Sequence, residues 1–74
     1  MREHETIVLN RDLPEHGLER GDVGTVVLVH GGGAGFEVEF VTLDGATIAV
    51  VSLGAADVRA VSSSEVPHAR KIAI

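Results

Sequence analysis

The chain has 74 residues and a formal charge of -5 from 6 Lys+Arg and 11 Asp+Glu, with no Cys, Trp or Tyr. That length holds one small domain, and 45% hydrophobic residues are enough to fold it. Cysteine-based zinc sites, disulfides and thiol catalysis are excluded outright, and the acidic balance opposes binding to nucleic acid or anionic lipid.

Glycine punctuates a series of short apolar runs. Residues 6–9 (TIVL) are β-branched and apolar and read as a first strand. A polar stretch follows over residues 10–20, and its Pro14 and Gly17 make it a long loop rather than a helix. Gly21-Asp22-Val23-Gly24 turns the chain into residues 25–30 (TVVLVH), the strongest strand signal. The glycine-rich residues 31–35 form a turn. In residues 36–41, Phe36, Val38 and Phe40 alternate with Glu37 and Glu39, so one face is core and the other is solvent. Asp44-Gly45 marks a hairpin into a fourth strand over residues 46–52. After Gly54, a short 3₁₀ turn at residues 55–57 precedes a last strand over residues 58–61.

Five short strands, a long first loop and a 3₁₀ turn before the last strand predict an all-β fold, a small five-stranded SH3-like barrel over residues 1–61. Val8, Val26, Leu28, Phe36, Val38, Phe40, Ile48 and Val50 are its expected core, with Ile7 and Leu9 the alternative to Val8 in the first strand. Residues 62–74 lack a period and form a tail. They carry a net charge of +1 against -6 for residues 1–61. Disorder in isolation is the first expectation for this tail; contact with an acidic surface, its own or a neighbour's, is the alternative.

The order of motifs carries a resemblance. Residues 12–18 (DLPEHGL), 21–27 (GDVGTVV) and 36–40 (FEVEF), then Asp44-Gly45 and residues 48–51 (IAVV), resemble a family of short bacterial proteins, the domain of unknown function four-nine-two-six. The resemblance covers about residues 5–61 and implies an SH3-like barrel without an assigned activity. The GDVGTV segment is also similar to barrels of nitrile hydratase small subunits and of KOW-type factors.

Candidate chemistry is sparse. Asp12, Glu15 and His16 place two carboxylates and an imidazole on one loop, the composition of an acid–base or metal cluster. A solvated loop pinned by Pro14, with Leu13 and Leu18 tucked over the barrel end, is the simpler expectation. His4, His16, His30 and His68 lack the spacing of a zinc site. The glycine run lacks the lysine and following helix of a phosphate loop. The expectation is therefore a protein that is not an enzyme, holds no metal or cofactor, and binds neither nucleic acid nor membrane. The apolar N-terminal run of a signal peptide is missing, so a cytoplasmic location is expected.

Apolarity on both faces of two strands points to a contact surface. Val27 and Val29 oppose Val26 and Leu28, and Ala49 and Val51 oppose Ile48 and Val50, so the former four are expected outside. Val66, Ile72 and Ile74 of the tail are added to them. The expected function is a non-catalytic protein-interaction module that forms a homo-oligomer or takes a protein partner. The alternatives are an accessory subunit for assembly of a larger enzyme and a small-ligand site at an oligomer interface.

Overall fold

The computed structural model describes residues 1–72. Ile74, expected above as a contact residue, lies outside the described residues. The fold is all-β, with five antiparallel strands: β1 (Thr6–Leu9), β2 (Val23–His30), β3 (Gly35–Val41), β4 (Thr47–Leu53) and β5 (Val58–Ala60). They form one sheet in the order β4-β3-β2-β1-β5, so β4 and β5 are its two edges.

A single short link forces this sheet to curl. The edges of a flat five-stranded sheet stand about 19 Å apart. Only the 3₁₀ turn Ala55–Asp57 and Gly54 join the end of β4 to the start of β5, which spans roughly 10 Å. Asp57 fixes the turn: its Oδ2 accepts the Gly54 N–H at 2.9 Å, and its own N–H donates to the Gly54 carbonyl at 3.0 Å. Leu53 and Val58, on the two edges, accordingly join Ile7, Leu9, Val26, Phe36, Val38 and Phe40 in one core cluster.

Phe36, Val38 and Phe40 are buried as the alternation requires. Phe40 has small neighbours on both sides. It pairs with Ala49 on β4, while a Cβ on Gly24 of β2 would stand 2.8 Å from its ring and 2.6 Å from Val38. Ile7 is paired with Gly24, so it too faces inward.

The expected sides of three strands need correction. In β1, Ile7 and Leu9 enter the core, and Val8 is buried at 5% exposure outside that cluster. In β2, a bulge inserts Val27 between the pairs Val26–Val38 and Leu28–Glu37. Leu28 thereby shares a face with Glu37 and is 45% exposed, while Val29 turns inward opposite Phe36 and packs against the core. In β4, Ile48 is the extra residue between the pairs Phe40–Ala49 and Val41–Thr47. Ala49 and Val51 follow Phe40 and Val38 inward, and Val50 follows Glu39 outward at 52% exposure. Ile48 still packs against the core, as expected. Each one-residue insertion exchanges the faces of the residues beyond it.

Two substitutions test this packing. Phe40→Ala should cost about 3–5 kcal/mol by removing a fully buried ring. Gly24→Ala should cost about 1–3 kcal/mol, because its methyl group overlaps Val38 and Phe40. Urea unfolding of both variants measures the losses, and unchanged midpoints would contradict the assigned core.

Candidate functional site

The loop that carries Asp12, Glu15 and His16 is organised by its backbone. Leu13 and Leu18 are buried and exchange N–H···O bonds of 2.8 and 3.1 Å. Between them Pro14–His16 makes one 3₁₀ turn, ended by Gly17 at φ 69°. Asp12 is committed to this arrangement, since its Oδ1 accepts the Arg20 N–H at 2.8 Å. Arg11 reaches across to Asp57 at 2.8 Å. Among the described residues no three His, Cys, Asp or Glu side chains converge as a metal would need. The three loop residues therefore do not form one cluster.

A polar group on the outer face was not singled out in the sequence. Glu37 Oε2 accepts the Ser52 hydroxyl at 2.6 Å and lies 2.6 Å from His30 Nε2. The Ser52 bond first, then His30, holds the Glu37 carboxyl below the usual carboxylate range. These are the residue types of a hydrolase triad, but the connections differ. Ser52 and His30 both meet the same carboxylate oxygen, so the imidazole is not placed as a base on the hydroxyl. The cross-strand register Leu28–Glu37–Ser52 assembles the group, and that register depends on the Val27 bulge.

Two surfaces remain as candidate binding sites. The first is the β2–β3–β4 outer face with its free edge. Of the four strand residues expected to make contacts, only Val27 is exposed, at 38%. Leu28 and Val50 take the outward places instead and flank Glu37 and Glu39. Val41 and Leu43 extend the apolar surface toward the hairpin end. Among the described residues, the backbone of β4 pairs with β3 alone.

The second surface lies beneath residues 61–72, which run back over the sheet as an irregular strap. Ser62 and Glu65 close a turn at its start: the Glu65 N–H donates to the Ser62 carbonyl at 3.1 Å, and Glu65 Oε1 accepts the Ser62 N–H at 2.7 Å. Arg59 grips Glu65 with two bonds of 2.8 and 2.7 Å. Beyond this turn Val66, Pro67 and His68 line a groove together with Val23 and Val8, the residue on the outer side of β1. Val66 itself is 85% exposed. Arg70 then forks onto Asp22, and Ile72 packs against the core cluster. Burial works to raise the Asp22 carboxyl, but the Arg70 bonds and the Glu19 amide outweigh it and hold it low.

A family model described as a domain of unknown function (DUF4926) matches residues 3–60. No curated protein and no solved structure matches the chain. No helix among the described residues is long and apolar enough to cross a membrane.

The strap's first turn should respond to acid. Arg59, followed by the Ser62 amide, lowers the Glu65 pKa from 4.5 to about 2. A depressed carboxylate stabilises the fold above its unfolded pKa and loses that contribution as pH falls through the folded value. The Arg59–Glu65 turn should therefore persist at pH 4.5 and open as pH approaches about 2. Side-chain carboxyl NMR titration checks this, and Arg59→Gln should move the Glu65 midpoint up toward 4.5.

Proposed function

The chain belongs to the family described as a domain of unknown function (DUF4926), and within it we propose a non-catalytic protein-interaction module that self-associates through the edge of β4. The observation that carries this reading is the character of that edge. β4 is seven residues long, TIAVVSL, with no charged residue and no proline. The opposite edge, β5, has three residues and carries Arg59, two devices that discourage pairing with another chain. β4 has neither.

A twofold pairing of β4 with its copy suits the charge distribution. The chain is acidic, so self-contact must keep carboxylates apart. Glu37 and Glu39 lie one strand inward, which places them about 14 Å from the copies across the seam. That exceeds the screening length of about 8 Å at physiological salt. Val50 is the central residue of β4 and faces outward, so an antiparallel pair centred there brings two exposed valines together.

The non-catalytic part of the reading is supported by the commitments of the polar residues. Asp12 holds a turn, and Ser52 and His30 share one carboxylate oxygen. The same reading assigns the module to the cytoplasm and gives it no cofactor. Leu28 and Val27, flanking Glu37 on the outer face, extend the surface available to a protein partner.

Sedimentation velocity tests the assembly. The wild type should be a dimer at micromolar concentration, and Val50→Lys should shift it to a monomer by placing like charges at the seam. A wild type that stays monomeric throughout, or a Val50→Lys chain that assembles unchanged, would overturn self-pairing at β4.

A further inference from the structure

The groove beneath the end of the strap has the features of a receptor that already holds a ligand. A cavity of about 400 Å³ stays open beside strap residues 68–72, and its other walls include Leu18, Asp22, Val23, Phe40, Leu43 and Ile48. Every one of these residues falls inside the segment matched by the family model, whereas the strap falls outside it. The domain thus supplies most of the groove, and an appended segment closes one side of it.

The occupant makes two side-chain attachments. The Arg70 guanidinium donates from Nε to Asp22 Oδ1 at 3.0 Å and from Nη2 to Asp22 Oδ2 at 2.5 Å. Nη2 also donates to the Gly17 carbonyl at 3.2 Å, and Glu19 lies 3.7 Å from Nη1. Two residues on, Ile72 packs against the core cluster, while Lys71 between them is exposed. Residues 66–72 contain neither helix nor turn. Among the described residues, no backbone hydrogen bond ties residues 66–72 to the sheet.

The receiving carboxylate is set by the domain itself. Asp22 Oδ2 accepts the Glu19 N–H at 2.7 Å, and the Asp22 N–H donates to the Glu19 carbonyl at 3.0 Å. The carboxylate is held in place by its own turn, with Gly17 O beside it as a further acceptor. A fixed carboxylate and a carbonyl beside an apolar floor match the planar fork of arginine followed by an aliphatic side chain.

We propose that this groove is a recognition site for an extended segment of a partner protein bearing arginine two residues before an aliphatic residue, and that residues 66–72 are an intramolecular occupant displaced by it. The domain's net charge of -6 favours a basic segment of this kind. Because the strap is tethered, its effective concentration is of millimolar order, so a partner binds the native chain with reduced apparent affinity. The strap therefore sets a threshold for engagement. Leu43 and Ile48 border both the groove and the β4 side of the sheet, but the polar anchors Asp22 and Gly17 lie outside β4, and the proposal does not rest on dimerisation.

The test uses the full chain and a labelled peptide of residues 66–72 (VPHARKI) in fluorescence anisotropy. Arg70→Ala in the chain loosens the strap, and the peptide should bind that variant at least about tenfold more tightly than wild type. Adding Asp22→Asn to the variant should reduce binding by about tenfold or more, as should replacing the peptide's arginine by alanine. Circular dichroism verifies the fold of each variant, and Arg70→Lys, which keeps the charge but loses the fork, replaces Arg70→Ala if the latter does not fold. Equal affinity for wild type and loosened chain, no binding to either, or binding indifferent to Asp22→Asn would overturn the proposal.

Discussion

Phe40 lies against backbone where residue 24 has no side chain, and this contact governs the geometry of the sheet. The ring occupies the space that a Cβ at Gly24 would need, with Val38 crowding the same position. Ala49 leaves room on the other side. With Phe40, Val38 and Phe36 inside, Glu39 and Glu37 must face out, and the register carries Val50 and Ser52 with them. The outer surface follows from how the inside is filled. Packing of this density tolerates little change, since even one methyl group at Gly24 must displace a neighbour.

What the sequence made legible follows from where a period exists. β3 alternates large apolar and acidic residues, and its burial agrees with that pattern at every position from Phe36 to Phe40. The Asp44-Gly45 turn was equally direct, with Gly45 at φ 91° and its N–H on the Thr42 carbonyl. β2 and β4 contain unbroken apolar runs, VVLV and IAVV, in which nothing marks the extra residue. The bulges at Val27 and Ile48 therefore reversed the expected sides of Leu28, Val29, Ala49, Val50 and Val51. In β1 three apolar residues in a row are all buried, and Val8, on the side away from the core, lines a groove that the strap also lines. Parity there depends on a segment distant in sequence. The Glu37–Ser52–His30 group was hidden for the same reason, as it exists only once the bulged register is known.

Charge on this molecule organises segments more than it stabilises them. Arg11–Asp57 ties the first loop to the turn before β5, and Arg70–Asp22 ties the strap to the start of β2. Exposed pairs of this kind contribute too little to hold a fold together. They can still choose between two placements of a segment that has no backbone ladder. The strap is such a segment, and a competing guanidinium meets only a modest barrier. β4 presents the contrasting case of an edge with no charge and a full row of backbone groups, suited to lasting association.

Hydrogen exchange along β4, followed as a function of protein concentration, tests the proposed self-pairing most directly. In a lone chain, the Thr47–Leu53 amides that point away from β3 exchange as open-edge amides do. Pairing of two copies predicts that these alternate amides gain protection as concentration rises through the dimerisation range, while those bonded to β3 are protected throughout. Exchange of the outward amides at one unprotected rate across that range would contradict pairing at this edge.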